Sequence, residues 1–279
     1  MKAVLRLLDP NARPKNPSGF CALAVMTKAP RPGRVKTRLV PPLTPNEAAT
    51  LNACFLRDTT AAISSAIVSG RLLGRKAGGV AVYTPVGSEG AYADILPPDF
   101  DLVPQRGRSF GERLWFAAED LFKCGFGGVC LIDSDSPTVP AATFAQAVEI
   151  LRSSGEHIVL GPSDDGGYYL IGLKKPRREM FERIDWSTER VLEQTKARAK
   201  EIGLAVKLLP MCYDVDDFIT LRRLCKELLG ENSPGATAPE TAKFLREIID
   251  REGRSRIWPT VTALKAMESR KPLAVHRVP

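Results

Sequence analysis

The sequence predicts an α/β fold in which a mainly parallel sheet lies between two layers of helices. The first observation behind this prediction is that short apolar runs alternate with longer stretches of helical periodicity from end to end. The second is that such alternation implies crossover connections between parallel strands, with helices on both faces of the sheet. The third is an apolar content of 44% in 279 residues, which is normal for a chain that buries a full core.

Seven short apolar runs predict the strands. They are 20–26, 79–83, 101–104, 127–132, 157–161, 168–173 and 204–209. Helical periodicity between these runs predicts six helices, at 45–68, 109–124, 140–153, 188–202, 216–229 and 237–250. Some of these helices have a start signal in the sequence: Thr44-Pro45 followed by Glu47, Ser109 followed by Glu112, and Ser187-Thr188 before Val191.

The alternating pattern predicts one domain, residues 20–250, with no internal repeat and no low-complexity segment. A Pro-rich basic leader, 1–19, precedes it, and a basic tail, 251–279, follows it. The net charge of +8 is concentrated toward the two ends: residues 1–40 hold nine Lys or Arg and one Asp, and residues 251–279 hold seven Lys or Arg and two Glu. A nucleic-acid-binding protein usually spreads basic residues over a folded face with aromatics between them. We therefore expect no nucleic acid as a partner.

The residue counts argue against several classes of site. The six cysteines form no C-x-x-C pair, so neither a zinc site nor a disulfide framework is expected, and most of them fall in apolar runs. With only His157 and His276 present, a catalytic triad or a histidine-based metal site would depend on His157, which enters a predicted strand. No apolar run approaches the roughly 18–20 residues of a membrane helix, and the N-terminus does not have the pattern of a secretory signal. The expected location is the cytoplasm, without integral membrane association.

Four predicted strands end in loops of unusual polar composition. These loops follow the strands at 20–26, 127–132, 157–161 and 204–209. In an open α/β sheet, ligands bind beyond the carboxyl ends of the strands. We therefore expect the four loops to converge on one site.

The first of these loops, TKAPRPGRVKTRL, is stiffened by two prolines and a glycine and is rich in cations. The cations are Lys28, Arg31, Arg34, Lys36 and Arg38. A loop with cations and backbone amides suits a polyphosphate, because charge-assisted hydrogen bonds to phosphate oxygens are strong. The G-x-x-x-x-G-K-[ST] spacing of a Walker A loop is absent. A solvated basic turn is the alternative interpretation.

Two aspartates, Asp133 and Asp135, follow directly after the apolar run GGVCLI. Mg²⁺ or Mn²⁺ suits this position, because hard cations prefer oxygen ligands and often bind through one or two carboxylates together with substrate phosphates. Asp and Ser also begin turns, so turn capping is the alternative.

Two later loops add further acidic turns. In Asp164-Asp165-Gly166-Gly167, the paired glycines allow close approach of the backbone to a ligand or a positive φ, although a tight turn before the next strand would look the same. In Asp214-Val215-Asp216-Asp217, the aspartates would equally cap the helix that follows.

These segments together resemble a known family. The motifs ALAVMTKAPRPGRVKTRL, GERL, SDSP, LGPSDDGGYYLIGL, WSTERVLEQT and YDVDD occur in order between about residue 20 and residue 250. They closely resemble the DUF2064 family of bacterial GT-A-like transferases, which has the nucleotide-diphospho-sugar transferase fold. Members are commonly described as glycosyltransferases, some of them in arsenosugar biosynthesis. The resemblance implies a single GT-A-like, Rossmann-like three-layer domain, and it leaves out the leader and the tail.

The resemblance also implies roles for individual residues. The loop with Lys28, Gly33, Lys36 and Arg38 is similar to the family's nucleotide-binding loop and to the K-[ST]-R-L loop of the phospholactate guanylyltransferases. Asp135 matches the metal-binding DxD position of GT-A enzymes, whereas Asp133 departs from relatives that often have glycine there. The turn with Asp165, Gly166 and Gly167 matches the family's D-G-G turn near the acceptor side. Asp214 and Asp216 match a D-x-D before the last helices and are candidates for further metal or phosphate contact.

The combined interpretation is a metal-dependent glycosyltransferase that uses a nucleoside diphosphate sugar and a small-molecule acceptor. Lys36 and Arg38 would bind the phosphates, Asp133, Asp135, Asp214 and Asp216 are the candidate ligands of Mg²⁺ or Mn²⁺, and Asp165 is the candidate base on the acceptor hydroxyl. One alternative is a nucleotidyltransferase that joins an NTP to a phosphorylated small molecule and releases pyrophosphate. The alternative from another class is a non-catalytic nucleotide-binding protein.

Overall fold

The structure is a computed structural model, and it describes residues 5–12, 19–72, 74, 76–230 and 237–257. Its strands are β1 (Arg6–Leu7), β2 (Cys21–Lys28), β3 (Ala77–Thr84), β4 (Asp101–Pro104), β5 (Gly128–Ile132), β6 (His157–Pro162), β7 (Tyr168–Leu173) and β8 (Ala205–Leu208). Its helices are α1 (Pro45–Leu72), α2 (Phe110–Lys123), α3 (Ala141–Arg152), α4 (Val191–Glu201), α5 (Phe218–Leu229) and α6 (Pro239–Glu252). Each predicted strand and helix is present.

The strands form one mainly parallel sheet with the order β1-β4-β3-β2-β5-β7-β6-β8. Strand β7 alone runs antiparallel to its neighbours β5 and β6. Strands β2, β5, β6 and β8 therefore point the same way, and their carboxyl ends lie at one edge of the sheet. The predicted α/β class with a mainly parallel sheet is confirmed.

Alternating side chains of β2 explain the three layers. Leu23 and Val25 are buried on the face that α1 and α3 cover, in one cluster with Leu56 of α1 and Phe144 of α3. Ala22 and Ala24 are buried on the opposite face, which α2 and α4 cover. Because successive strand residues point to opposite faces, a strand covered on both sides is apolar throughout.

A third apolar cluster holds the last two helices against the start of α1. It contains Leu51 of α1, Leu221 of α5 and Leu245 of α6, all of them fully buried. Ile257 is also buried there, so the packed structure extends past residue 250. Residues 258–279 of the predicted tail lie outside the described residues.

The predicted leader contributes a strand that the sequence analysis did not predict. Strand β1 pairs in parallel with β4, and Arg6 forms an ion pair with Asp101 at 2.5 Å. Residues 1–4 and 13–18 of the leader lie outside the described residues. The division into a leader, one domain and a tail stays a prediction.

Several residues singled out in the sequence can now be placed in the structure. The Ser109 hydroxyl accepts from the Glu112 amide and Glu112 caps in return, so the predicted capping box of α2 is present. Five of the six cysteines are buried and the sixth, Cys212, is half-buried, all of them free. His157 is buried in β6, with its Nε2 atom 2.8 Å from the Ile150 carbonyl oxygen. No helix among the described residues is long and apolar enough to cross a membrane.

Candidate active site

Backbone hydrogen bonds bring the polar loops at the carboxyl edge of the sheet together. The Val215 amide donates to the Asp135 carbonyl at 2.9 Å, which joins the loop after β8 to the loop after β5. The Asp164 amide donates to the Cys212 carbonyl at 3.1 Å, and the Cys212 amide donates to the Pro162 carbonyl at 3.0 Å. The loops after β5, β6 and β8 thus lie side by side, as their positions at the strand ends predicted.

Lys36 joins the basic loop to this group. Its Nζ atom lies 2.9 Å from Asp135 Oδ1, 3.1 Å from Asp216 Oδ1 and 2.7 Å from the Val215 carbonyl oxygen. Only 5% of the Lys36 side chain is exposed, and its backbone is in the left-handed region at φ 47°. Burial by itself would lower the pKa of the ammonium, but the two carboxylates outweigh burial and raise the pKa above its ordinary value. A lysine is therefore the counter-charge of Asp135 and Asp216.

Asp133 closes the turn after β5. Its Oδ2 atom accepts from the Ser136 hydroxyl at 2.8 Å, and its amide donates to the Tyr169 carbonyl at 2.9 Å. Burial, with repulsion from Asp135, raises the pKa of the Asp133 carboxyl well above its ordinary range. The Ser136 contact shows that the Asp133 side chain takes part in the turn, and its role as a metal ligand stays a prediction.

Asp214 lies among other carboxylates. Its Oδ1 atom accepts from the Ser163 hydroxyl at 3.3 Å. Burial raises the pKa of Asp214 to about 6, and repulsion from Asp165 and Asp216 adds to the effect. Asp214 therefore lies in an acidic part of the site.

Asp165 lies at the surface of the same group of loops, in the D-G-G turn. Its Oδ1 atom accepts from the Gly167 amide at 2.8 Å, which leaves its other oxygen free to face a ligand. Gly166 has φ +89°, and a Cβ atom there would lie 2.2 Å from the Glu189 carbonyl oxygen. The turn requires glycine at 166 because the segment before α4 packs directly on it.

The cations of the basic loop fall into two groups. Lys36 and Arg38 both pair with Asp216. The side chains of Lys28 and Arg34, by contrast, are exposed and pair with no residue in the part of the chain that the structure describes. Gly33, at φ +70°, turns the loop between Lys28 and Arg34.

Two adjoining cavities lie over these loops. The larger, of about 570 Å³, is lined by Asp133, Asp135, Asp165, Asp214 and Asp216 and also by aromatic residues. The smaller, of about 280 Å³, is lined by Lys28, Arg34, Lys36 and Arg38. Arg38, Ser134, Asp135 and Asp216 line both cavities and mark the boundary between an acidic and a basic compartment.

The cavities include most of the predicted site residues and several others. Gly167 lines the larger cavity, whereas Gly33 and Gly166 line neither. Four lining residues were not predicted from the sequence: Phe110, Tyr168 and Trp186 in the larger cavity and Asn52 in the smaller. Asn52 is 5% exposed, and its Oδ1 atom has no hydrogen-bond partner. In the sequence, an asparagine among the apolar positions of the first predicted helix was the signal that could have identified Asn52.

The donor chemistry of the shared boundary fits a hard divalent cation. The candidate ligands are carboxylates, and neither cavity is lined by a histidine or a cysteine. Burial raises the pKa of Asp214, and the repulsion from Asp165 and Asp216 that adds to this effect is negative charge that a cation would offset. Within the described ranges, no three Asp, Glu, His or Cys residues are already grouped as a metal site.

Comparison with known proteins identifies relatives of this chain. The model of the family DUF2064, described as an uncharacterized protein conserved in bacteria, matches residues 71–188. No curated protein matches the chain. A solved structure from Desulfovibrio desulfuricans G20, provisionally described as a nucleotide-diphospho-sugar transferase, is 28% identical with a TM-score of 0.71. The match covers 85% of this chain and 98% of that protein.

Two other solved structures are more distant. Rv0371c from Mycobacterium tuberculosis H37Rv is 15% identical with a TM-score of 0.46, over 76% of this chain and all of that one. The mannosyltransferase PcManGT from Pyrobaculum calidifontis, solved with GDP-Man and Mn²⁺, is 16% identical with a TM-score of 0.41, over 95% of this chain and 78% of that one. Neither of these two similarities carries an argument about this chain. The predicted resemblance to the DUF2064 family is confirmed over residues 71–188 by the family model. The similarity to the Desulfovibrio protein extends over 85% of the chain and supports the predicted nucleotide-diphospho-sugar transferase fold.

Proposed function

We propose that this protein is a metal-dependent glycosyltransferase that uses a nucleoside diphosphate sugar as donor. One observation carries the proposal: Asp135 and Asp216 lie at the boundary of a basic cavity and an acidic cavity. A donor of this kind has a strongly anionic diphosphate on one side of the bond that breaks and a neutral sugar on the other. The change of charge across the site matches the change of charge along the donor.

The basic cavity would bind the diphosphate. Lys28 and Arg34 are available for this role, because neither pairs with an acid among the described residues. Arg38, whose side chain is 72% exposed, lies where the two cavities meet. Charge-assisted hydrogen bonds from these side chains to phosphate oxygens would hold the diphosphate in the basic cavity, so that its bond to the sugar lies at the boundary of the two cavities.

Asp135 and Asp216, with Asp214 and Asp133 nearby, would hold Mg²⁺ or Mn²⁺. When bound, such a cation offsets the negative charge that develops on the departing nucleoside diphosphate. Lys36 already supplies one positive charge to Asp135 and Asp216. A bound cation would therefore compete with the Lys36 ammonium for these two carboxylates.

Asp165 would act on the acceptor. It lines the acidic cavity, and the Gly167 amide holds one of its oxygens at 2.8 Å. In the proposed reaction the acceptor hydroxyl oxygen bonds to the sugar carbon, the bond from that carbon to the diphosphate oxygen breaks, and the hydroxyl proton goes to Asp165. The nucleoside diphosphate leaves with the bonding electron pair. The description of the Desulfovibrio protein, which shares this fold, supports a transferase of this class.

Thermal shift with nucleotides tests the proposal. UDP, GDP, CDP and dTDP and the matching triphosphates are each added with and without Mn²⁺. One diphosphate should stabilise the protein only with the metal, by about 2.7 kcal/mol at a hundredfold excess over Kd. Asp135→Ala should abolish this gain without loss of fold, because Asp135 is a partly exposed loop residue. Asp164→Asn is the matched control, since Asp164 lies in a neighbouring loop and lines neither cavity.

Other outcomes would change the assignment. Preference for a triphosphate, with metal-dependent release of pyrophosphate, would support a nucleotidyltransferase instead. Nucleotide binding that does not depend on metal would support a non-catalytic binding protein. A lower melting temperature in Asp135→Ala with unchanged nucleotide binding would refute the role given to Asp135.

A further inference from the structure

One part of the larger cavity, called its aromatic end below, is lined by Phe110, Tyr168 and Trp186. The rings of Phe110 and Trp186 meet edge to face, with centroids 5.2 Å apart and an interplanar angle of 67°. Tyr168 meets Trp186 in a similar arrangement, at 6.5 Å and 77°. Phe110 is 53% exposed although it is a large apolar residue, and it lines the cavity. An exposed ring beside other rings provides a surface on which a ligand can stack.

The backbone fixes these rings in place. The capping box at Ser109 sets the start of α2, and with it the position of Phe110. Trp186 packs against the next residue of that helix: a Cβ atom on Gly111 would lie 2.5 Å from Trp186 Nε1. Only glycine allows this approach, so the two rings are held together before any ligand binds.

The same backbone connects the rings to Asp165. The Leu192 amide of α4 donates to the Gly166 carbonyl at 2.8 Å, and Glu189, in the segment between Trp186 and α4, packs directly on Gly166, so this segment is held against the D-G-G turn. A molecule stacked on the rings would therefore lie at a defined distance from the Asp165 carboxylate. This is the arrangement that an acceptor subsite requires.

The charges of this cavity select against anions. Arg38 is the one cation that lines it among the described residues, and Arg38 is paired with Asp216. Even when a divalent cation offsets the negative charge of the other aspartates, the carboxylates of Asp165 and Glu189 still line the cavity. The Glu189 side chain pairs with no cation in the described part of the chain. A phosphate or carboxylate here would meet unpaired negative charge, whereas the rings attract a neutral or cationic group.

We propose that this aromatic end is the acceptor subsite, and that it takes an acceptor with an apolar ring face and no negative charge. The inference rests on the proposed function, because it names the acceptor of that reaction. It also separates the two transferase hypotheses, since a nucleotidyltransferase of the kind considered above would bring a phosphorylated, anionic substrate to this position.

Three probes with one ring and different charges test the inference: benzyltrimethylammonium, benzyl alcohol and phenyl phosphate. The readout is the fluorescence of Trp186 in a Trp115→Phe/Trp258→Phe protein, which leaves it as the only tryptophan. Benzyltrimethylammonium should bind about tenfold more tightly than phenyl phosphate, with benzyl alcohol between them. The net charge of the whole protein, +8, favours the anion, so this order would reflect the local site. Phe110→Ala should weaken the cation at least fivefold, while Ile219→Ala, an exposed apolar residue outside both cavities, should not.

The inference would be overturned if phenyl phosphate bound at Trp186 more tightly than benzyltrimethylammonium. It would also be overturned if Phe110→Ala bound benzyltrimethylammonium as tightly as the protein with Phe110 does. Nucleotide binding is measured on the same proteins by thermal shift. If the nucleotide binds but the probes do not follow the expected order, the acceptor assignment alone fails. If the probes follow the order but no nucleotide binds, the donor assignment fails and the ring-binding site stands.

Discussion

Replacing Lys36 with methionine should destabilise the protein, and Mn²⁺ should reverse most of the loss. Methionine retains the length and apolar contacts of the lysine stem but removes the ammonium that lies between Asp135 and Asp216. The two carboxylates then face each other, and the Val215 carbonyl loses the donor that lies at 2.7 Å.

The size of the effect follows from burial. Removing one partner of a fully buried ion pair costs about 3–5 kcal/mol. Lys36 is 5% exposed, but Asp135 and Asp216 keep 34% and 32% of their side-chain surface exposed, so water screens part of their repulsion. We therefore expect a loss of about 2–3 kcal/mol. In a chain of this size that corresponds to a fall in melting temperature of about 4–10 °C.

The assay is thermal unfolding of the wild-type protein, Lys36→Met and Lys28→Met, each with EDTA and with Mn²⁺. Lys28 is the matched control, because it lies in the same loop, is exposed and has no acidic partner among the described residues. Its substitution should change stability by less than about 0.5 kcal/mol. Mn²⁺ should raise the melting temperature of Lys36→Met more than that of the wild-type protein, because the lysine no longer competes for the carboxylates. Equal Mn²⁺ effects in all three proteins would refute the inference that lysine and metal share Asp135 and Asp216.

Two further predictions concern the free energy of unfolding, measured by chemical denaturation. Gly166→Ala should lower it by about 2–4 kcal/mol, because residue 166 has a positive φ and its Cβ atom would lie 2.2 Å from a backbone oxygen. Gly33→Ala is the control: residue 33 also has a positive φ but nothing lies within 4 Å, so the loss should be only about 1–2 kcal/mol. Asp58→Ala should cost about 2 kcal/mol, because the Asp58 carboxylate caps α6 by accepting from the amides of Glu240 at 3.0 Å and Thr241 at 2.9 Å. Burial raises the pKa of Asp58, so the folded protein takes up a proton here more readily than the unfolded chain does. As pH falls from 7 toward about 4, the wild-type protein should therefore gain stability relative to Asp58→Asn. A stability difference that does not change over this range would contradict the raised pKa.

Periodicity predicted the central strands and most helices because those elements are buried in a regular pattern. The start of α4 was less well predicted: Ser187-Thr188 suggested it, but the helix begins at Val191. Ser187 has φ 64°, and the Thr188 hydroxyl donates to the Asp185 carbonyl, so both residues form a turn under the cavity instead. A capping signal does not reveal whether a tertiary contact will use the same residues.

The two remaining differences in the sheet have separate causes. The two residues of β1 are too few to show a period, and their pairing with β4 depends on a segment about a hundred residues away. The antiparallel direction of β7 could have been predicted, because the five residues between β6 and β7 are too few for a crossover. Its position between β5 and β6 could not, since chain order does not give strand order.

The position of the candidate site was predictable, whereas its internal pairing was not. Strand ends in a parallel sheet share an edge, so the loops with Asp135, Asp165 and Asp214 had to be near one another. Lys36 faces Asp216 because the backbone of Lys36 has a left-handed conformation and because the fold brings together two residues 180 positions apart in the sequence. The aromatic end was missed because Phe110 and Trp186 are each ordinary residues until α2 and the segment before α4 meet.

The main-chain hydrogen bonds among the loops also bear on how this site can change over evolutionary time. Three of the four loops are held by bonds between backbone atoms, such as that from Val215 to Asp135. Every residue except proline can make such bonds, so substitutions at neighbouring side chains leave the positions of the loops unaltered. Under the proposed function, a lineage could therefore exchange Phe110 or Glu189 and acquire a new acceptor while the proposed metal and diphosphate positions stay where they are. Donor chemistry would be inherited, and acceptor choice would diverge.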